Sequence, residues 1–132
     1  MANRKVAILA SGGGRDTAYK VFNIATVVAA MGAEVAIFFT FEGVKLIHKQ
    51  LYGTLPLPPA MEGLQDSFAA HNVPPVPELV AMAQDMGVTF TACQLTLDLM
   101  SAAKEDLVEG VEVAGAAAFL VDAYDADVTL TF

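Results

Sequence analysis

The stretch KVAILASGGGRDTAYKVFNIATVVAAMGAEVAIFFT, residues 5–40, decides the predicted fold. Its first six residues, Lys5 to Ala10, form an apolar run with β-branched side chains, which predicts a strand. The three consecutive glycines that come after Ser11 end this strand. A second apolar run at 33–40 predicts a second strand, and near-continuous apolar strands are typical of a parallel sheet.

A helix is predicted between these two strands, over residues 17–31. Asp16 is expected to cap its N-terminus, because a carboxylate accepts hydrogen bonds from the free N–H groups of the first turn. Gly32 is expected to end it, since glycine readily adopts the left-handed conformation that follows many helices. A strand, a helix and a strand in this order predict two parallel neighbours.

The rest of the chain continues the alternation of predicted strands and helices. Further helices are predicted at residues 43–50, 77–86, 94–103 and 115–124, and further strands at 88–92, 111–113 and 127–132. A proline-rich irregular segment at 52–76, with a short helix at 61–70, has the length of a lid, a binding loop or an oligomer contact. The order predicts an α/β fold: a single domain over residues 1–132, built as a three-layer sandwich with a mostly parallel sheet covered by helices on both faces.

Charge and hydropathy exclude several classes of partner. Seven Lys and Arg against 15 Asp and Glu give a net charge of −8, so we expect no nucleic-acid partner and no binding to anionic membranes. The apolar fraction of 55% is high beside 17% charged residues, yet no apolar run is long enough to span a membrane. We therefore expect a homo-oligomer without a transmembrane segment. No signal-peptide pattern follows Met1, which predicts a cytoplasmic protein.

The one cysteine, Cys93, lies between the strand predicted at 88–92 and the helix predicted at 94–103. A lone cysteine forms no disulfide within the chain, and with no ligand cluster beside it we expect no metal and no cofactor. Free N–H groups at the start of the helix favour the thiolate, which is the nucleophile in sulfur transfer and in peroxide reduction. A buried structural cysteine is the alternative interpretation of this position.

Polar residues that follow the first two strands are expected to share a crevice with Cys93, because the carboxyl ends of parallel strands form one edge of the sheet. The candidate anion- or substrate-binding residues are Ser11, Gly12, Gly13, Gly14, Thr40 and Glu42. The glycine turn, next to Arg15, offers backbone N–H groups to an anion, or it is simply a flexible connection.

Two acidic residues near Cys93 have open roles. A carboxylate at Glu42 raises the pKa of a neighbouring thiol, or else Glu42 is a solvated loop residue. Asp98 lies five residues after Cys93 and is expected to support the start of the helix by hydrogen bonding rather than to take part in catalysis.

Three segments carry a resemblance to a known family. These are AMGAEVAIFFTFEG at 30–43, TACQLTLDLM at 91–100, and EGVEVAGAAAFL at 109–120 followed by VTL at 128–130. In this order, over nearly the whole chain, they resemble the DsrE/DsrF-like family, and more narrowly its peroxiredoxin-like or sulfurtransferase branch.

The resemblance implies a flavodoxin-like or Rossmann-like fold and a homo-oligomer, often a trimer or hexamer. It also implies a sulfur carrier or sulfurtransferase that holds a persulfide on Cys93 and works with sulfur donor and acceptor proteins. The family pattern usually has an aromatic residue where Glu42 stands, and Ser-Met-Asp where this chain has Thr96, Leu97 and Asp98.

Three hypotheses for the function follow. In the first, Cys93 relays sulfane sulfur as a persulfide. In the second, the chain is a non-catalytic small-ligand-binding or oligomeric assembly module, in which Cys93 is a packing residue. The third, a thiol peroxidase, has the least support, because the chain contains no resolving cysteine.

Overall fold

The computed structural model describes residues 4–132, and every strand of its five-stranded sheet is parallel to its neighbours. The strands are β1 (Lys5–Ala10), β2 (Glu34–Phe39), β3 (Thr89–Cys93), β4 (Glu112–Ala114) and β5 (Val128–Thr131), in the order β4-β3-β2-β1-β5. This confirms the predicted α/β fold with a parallel sheet. The start of the chain at Met1, on which the expected lack of a signal peptide rests, lies outside the described residues.

Five α-helices and four 3-10 helices connect the strands within residues 4–132. The α-helices are α1 (Arg15–Ala30), α2 (Gln65–Ala70), α3 (Val76–Asp85), α4 (Gln94–Met100) and α5 (Ala116–Asp125). The 3-10 helices are Phe41–Ile47, Tyr52–Thr54, Pro59–Leu64 and Lys104–Asp106. The helix predicted at 43–50 is therefore a 3-10 helix that begins two residues earlier. Across the described part of the chain, no helix is both long and apolar enough to cross a membrane.

Aromatic contacts show that helices cover both faces of the sheet. Phe22 of α1 packs on Phe39 and Phe90, with ring centroids 6.1 and 5.9 Å away. Phe119 of α5 packs on Phe38, at 5.8 Å. Because neighbouring residues of a strand point to opposite faces, α1 and α5 lie on opposite sides, as the predicted three-layer sandwich requires.

The two faces are buried to different extents. The main core lies on the α1 side, where Phe22, Phe39 and Ile37 are almost completely buried. Helix α5 has no fully buried residue, and its Val121 and Tyr124 are 69% and 89% exposed. An apolar surface of this kind is unusual on the outer layer of a monomer.

The first helix begins two residues earlier than predicted, at Arg15 instead of residue 17. Gly14, not Asp16, occupies its N-cap position, and no side chain caps the free N–H groups. The Asp16 carboxylate lies inside the first turn and pairs with Lys20 at 3.5 Å. The prediction for the other end is confirmed, since Gly32 follows the C-cap residue with a φ of 92°.

The proline-rich segment at 52–76 packs over the start of α1. The Arg15 backbone N–H donates to the Pro56 carbonyl at 2.8 Å, and the Tyr19 hydroxyl donates to the Pro74 carbonyl at 3.1 Å. Leu55 and Leu57, on either side of Pro56, are both more than nine-tenths buried. The segment is thus held near both ends, at 55–57 and at Pro74, whereas its middle, residues 59–70, is mostly exposed.

Candidate functional site

Cys93 is both the last residue of β3 and the N-cap residue of α4. Phe90 and Ala92 on the same strand belong to the main core, so the alternation of side chains places Cys93 on the opposite, α5 side of the sheet. In the strand register Cys93 lies beside Ala114 of β4. The side chain is 7% exposed, which makes it a nearly buried thiol.

The surroundings of Cys93 favour its thiolate. Burial acts first and raises the pKa of the thiol, but hydrogen-bond donors outweigh it and the pKa is lowered overall. In order of effect, these donors are the backbone N–H and the hydroxyl of Thr96, the hydroxyl of Thr40 and the backbone N–H of Leu95. Donors to an anion are among the stronger hydrogen bonds in proteins, so this cluster stabilises negative charge on sulfur.

Thr96 is the residue that sequence reasoning missed. Its side chain is 2% exposed, and its Oγ1 accepts a hydrogen bond from the Phe41 backbone N–H at 2.8 Å. Because a hydroxyl carries one hydrogen, that bond leaves the Thr96 hydrogen available for the sulfur of Cys93. The sequence signal was the position of Thr96 in the first turn after the cysteine, where the resembling family has serine.

Phe41 has an unusual backbone at the end of β2. Its φ is 49°, in the left-handed region that bulky residues rarely adopt, and its ring is 55% exposed. Strained residues of this kind cluster at functional sites. A pocket of about 260 Å³ opens beside it, lined by Phe41, Glu42, Lys45, Thr96, Leu99 and Met100.

The ends of β1 and β2 meet at glycines, as the predicted crevice requires. A Cβ atom on Gly43 would lie 1.9 Å from the Ala10 carbonyl oxygen, so only glycine fits there. A Cβ atom on Gly13 would lie 2.8 Å from the Cβ of Glu42. The glycine turn therefore rests directly against the residues that follow Thr40.

The four residues of the glycine turn differ in their hydrogen bonding. Ser11 is tied to the chain end, because its N–H and its Oγ both donate to the Phe132 carbonyl, at 2.7 and 3.0 Å. The N–H groups of Gly12, Gly13 and Gly14 donate to no acceptor within residues 4–132. Only these three residues keep the free donors expected of an anion-binding turn.

The two acidic residues lie apart from the thiol chemistry. The Glu42 carboxylate is 69% exposed and pairs with the Lys45 Nζ at 3.6 Å, and it is not among the groups that shift the pKa of Cys93. Asp98 lies beyond the first turn of α4, where its Oδ1 accepts a hydrogen bond from the Gln94 Nε2 at 2.9 Å. Asp98 therefore contacts the start of the helix only through the Gln94 side chain, and no side chain caps the free backbone N–H groups there. In the described range, no three His, Cys, Asp or Glu side chains are grouped to hold a metal ion.

A comparison with known proteins assigns the chain to a family. Residues 2–63 and 59–131 match the model of the DsrE/DsrF/DrsH-like family. The chain belongs to this family. A relative from Allochromatium vinosum, described as sulfur carrier protein DsrE2, is 34% identical over 157 residues, covering 98% of this chain and 99% of the relative. The uncharacterized protein YrkE of Bacillus subtilis is 31% identical over 153 residues, covering 96% of each.

Solved structures support the same fold. The ychN protein from E. coli superposes with a TM-score of 0.73 at 17% identity, covering 98% of this chain and 99% of that one. The MTH1491 protein from Methanobacterium thermoautotrophicum superposes with a TM-score of 0.69 at 14% identity, covering 97% and 99%. The family membership and the parallel α/β fold therefore agree. The family membership, together with the relative described as a sulfur carrier, supports a role in sulfur relay in general terms.

Proposed function

We propose that this chain carries sulfane sulfur as a persulfide on Cys93. The observation that carries the proposal is the place of Cys93, the only cysteine of the chain, at the N-cap of α4, where it is nearly buried and the donors of Thr96, Thr40 and Leu95 lower its pKa. A sulfur carrier needs a thiolate that forms near neutral pH and a site that stabilises an anionic sulfur after transfer. The same donors serve both purposes.

The proposed transfer is balanced without any added oxidant or reductant. The Cys93 thiolate attacks the terminal sulfur of a donor persulfide, R–S–SH, so that a new S–S bond forms on Cys93 and the S–S bond of the donor breaks. The products are Cys93–S–SH and R–S⁻, and the electron pair of the broken bond leaves with the donor thiolate. Attack by an acceptor thiolate on Cys93–S–SH reverses these roles and returns the Cys93 thiolate.

The partners follow from the cysteine count. Because the chain has a single cysteine, no second thiol of the same chain can take up the sulfur. We propose that both the donor and the acceptor are thiol proteins and that the relay takes place in the cytoplasm, where thiols stay reduced. The description of the Allochromatium vinosum relative as a sulfur carrier supports this assignment.

The test is intact-protein mass spectrometry after incubation with glutathione persulfide. The wild-type chain should gain one sulfur atom, and dithiothreitol should remove it. Cys93→Ser should gain nothing, while Thr91→Ser, which changes a side chain two residues earlier on β3, should behave as wild type. If the wild-type chain gains no sulfur from glutathione persulfide or from a protein persulfide donor, the relay is excluded.

A second function, a non-catalytic ligand-binding or assembly module, is favoured by one observation. Cys93 is only 7% exposed, which fits a packing residue. The two functions differ in the pH dependence of Cys93 alkylation. A relay thiol should react with a midpoint below the ordinary thiol pKa of about 8.5, whereas a packing thiol should react slowly with a midpoint at or above it.

We also infer that copies of the chain assemble into a homo-oligomer, for which a trimer or a hexamer is the expected size. Leu95 and Leu99, one turn apart on α4, are 57% and 66% exposed. Tyr124 and Val121 of α5 are exposed as well. Apolar faces on two helices of one domain support burial between copies.

A further inference from the structure

A second cavity lies away from Cys93, beneath the proline-rich segment. It measures about 470 Å³, within the range of roughly 300–1,000 Å³ that is typical of small-molecule sites. Its walls come from the first residues of α1 and α3 and from the 3-10 helices in the segment. The lining residues are Arg15, Tyr52, Gly53, Thr54, Leu55, Pro56, Leu57, Glu62, Gln65, Pro75 and Val76.

Arg15 is held in a fixed position at this cavity. Its guanidinium lies 4.5 Å from the centre of the Phe68 ring, and its Nε and Nη2 lie 3.4 and 3.5 Å from the Tyr19 hydroxyl. Tyr19 stacks on Phe68 with ring centroids 5.1 Å apart, and its own hydroxyl hydrogen goes to the Pro74 carbonyl. An arginine that is clamped in this way loses little further freedom when it binds a ligand.

Arg15 nevertheless has no acidic partner. Acidic residues outnumber basic ones by 15 to 7 in this chain, but no carboxylate among residues 4–132 lies within 4.0 Å of the guanidinium. Glu62 lines the same cavity and likewise pairs with no cation in that part of the chain. A cationic and an anionic residue therefore line one cavity, and within residues 4–132 they form no ion pair with each other.

The rest of the wall is mixed: Tyr52, Thr54 and Gln65 add polar groups, and another part is apolar. Leu55, Leu57 and Val76 are each at least nine-tenths buried and form the floor, while prolines fix the loops around them. A cavity with one cation, one anion and an apolar floor matches a small molecule that carries a carboxylate, an ammonium group and a hydrocarbon side chain.

We propose that this cavity binds an α-amino acid or a short peptide with an apolar side chain. Arg15 would receive the carboxylate through the N–H groups of Nη1 and Nη2 that are not directed at the Tyr19 hydroxyl, and Glu62 would receive the ammonium group. Leu55, Leu57 and Val76 would contact the side chain. The site does not depend on the proposed sulfur relay, because none of its lining residues contributes to the Cys93 donor cluster.

The test is isothermal titration calorimetry with glycyl-L-leucine, its N-acetyl form and its C-terminal amide at millimolar concentration. Wild-type protein should bind the free dipeptide at least tenfold more tightly than either blocked form. Arg15→Gln should lose only the preference for the free dipeptide over its amide. Glu62→Gln should lose only the preference for the free dipeptide over its N-acetyl form. The matched controls Lys20→Gln on α1 and Glu78→Gln on α3 should keep both preferences.

These outcomes separate binding from a structural role of the two residues. If a substitution only loosened the proline-rich segment, the affinities for all three peptides would fall equally. The proposal instead requires each variant to lose one preference only. Absence of binding by the wild-type protein, equal binding of blocked and free peptides, or unchanged preferences in the Arg15 and Glu62 variants would each overturn the proposal. A negative result here leaves the persulfide experiment on Cys93 unaffected.

Discussion

The backbone N–H of Phe41 donates a 2.8 Å hydrogen bond to the Oγ1 of Thr96, which joins the end of β2 to the first turn of α4. The bond fixes the Thr96 hydroxyl, whose hydrogen then serves the sulfur of Cys93. It also holds Phe41 in its left-handed conformation. The reactivity of the thiol is therefore linked to the backbone of Phe41, which lies 55 residues before Thr96 in the sequence.

Replacing Thr96 should change the pH at which Cys93 reacts. Thr96→Val removes the hydroxyl donor at nearly constant volume, so the pKa of Cys93 should rise and iodoacetamide alkylation at pH 7 should slow about tenfold. Thr96→Ser keeps the hydroxyl and should retain a pH profile close to wild type. An unchanged midpoint in Thr96→Val, with native circular dichroism, would show that the hydroxyl does not act on the sulfur.

The left-handed backbone of Phe41 predicts that glycine at this position gives a more stable protein than alanine, which is the reverse of the usual order. At most positions a glycine variant has a free energy of unfolding about 0.5–1 kcal/mol lower than the alanine variant, because glycine has more conformational freedom in the unfolded chain. At position 41 the φ of 49° penalises any side chain, so Phe41→Gly should be more stable than Phe41→Ala by about 1 kcal/mol. Urea unfolding of both variants measures the difference, and a more stable alanine variant would contradict the strain.

The lowered pKa of Cys93 makes the stability of the protein depend on pH in one direction. Because the thiol ionises more readily in the folded chain than in the unfolded chain, it adds stability above the unfolded pKa of about 8.5. That contribution is lost as the pH falls through the folded pKa. The free energy of unfolding of wild type relative to Cys93→Ser should therefore rise between pH 6 and pH 9.5. A flat or falling difference would indicate that the burial of the thiol outweighs its donors.

Much of the fold could be predicted because local patterns determine it. The bounds of β1 match the apolar run at 5–10, and a positive φ follows α1 at Gly32 and α3 at Gly87. The start of α1 differs from the prediction because Asp16 has a favourable capping side chain, whereas the helix begins after Gly14 without any side-chain cap. Capping preference is a weak signal when the preceding turn is packed against other elements.

The candidate site could be located from sequence, but its chemistry could not. The position of Cys93 after a strand and before a helix is a local feature, and the structure places it there. The role of Thr96 depends on contact with Phe41, which only the parallel pairing of β2 and β3 creates. The free charge of Arg15 likewise depends on how the proline-rich segment folds over α1, and no short-range pattern describes that packing.

Gly43 should tolerate no side chain. A Cβ atom there would lie 1.9 Å from the carbonyl oxygen of Ala10, so Gly43→Ala must push the end of β2 away from β1. We expect a loss of about 3 kcal/mol or more in the free energy of unfolding, or insoluble protein. Gly53→Ala is the matched control, because nothing lies within 4 Å of its Cβ position and its φ is not positive, and it should change stability by no more than about 0.5 kcal/mol. Equal stability of the two variants would show that the close approach of β1 and β2 relaxes easily.

The exposed face of α5 should control assembly. Val121 is 69% exposed, so a change to aspartate costs little in the isolated chain but introduces a charge that is expensive to bury between copies. Val121→Asp should therefore shift the oligomer to smaller species in size-exclusion chromatography with light scattering, while the circular dichroism spectrum stays native. Asn23→Asp, at an exposed position of α1, adds the same charge and should leave the mass unchanged. If wild type and Val121→Asp have the same mass, the α5 face is not the interface, and Leu99→Asp on α4 tests the other exposed face in the same way.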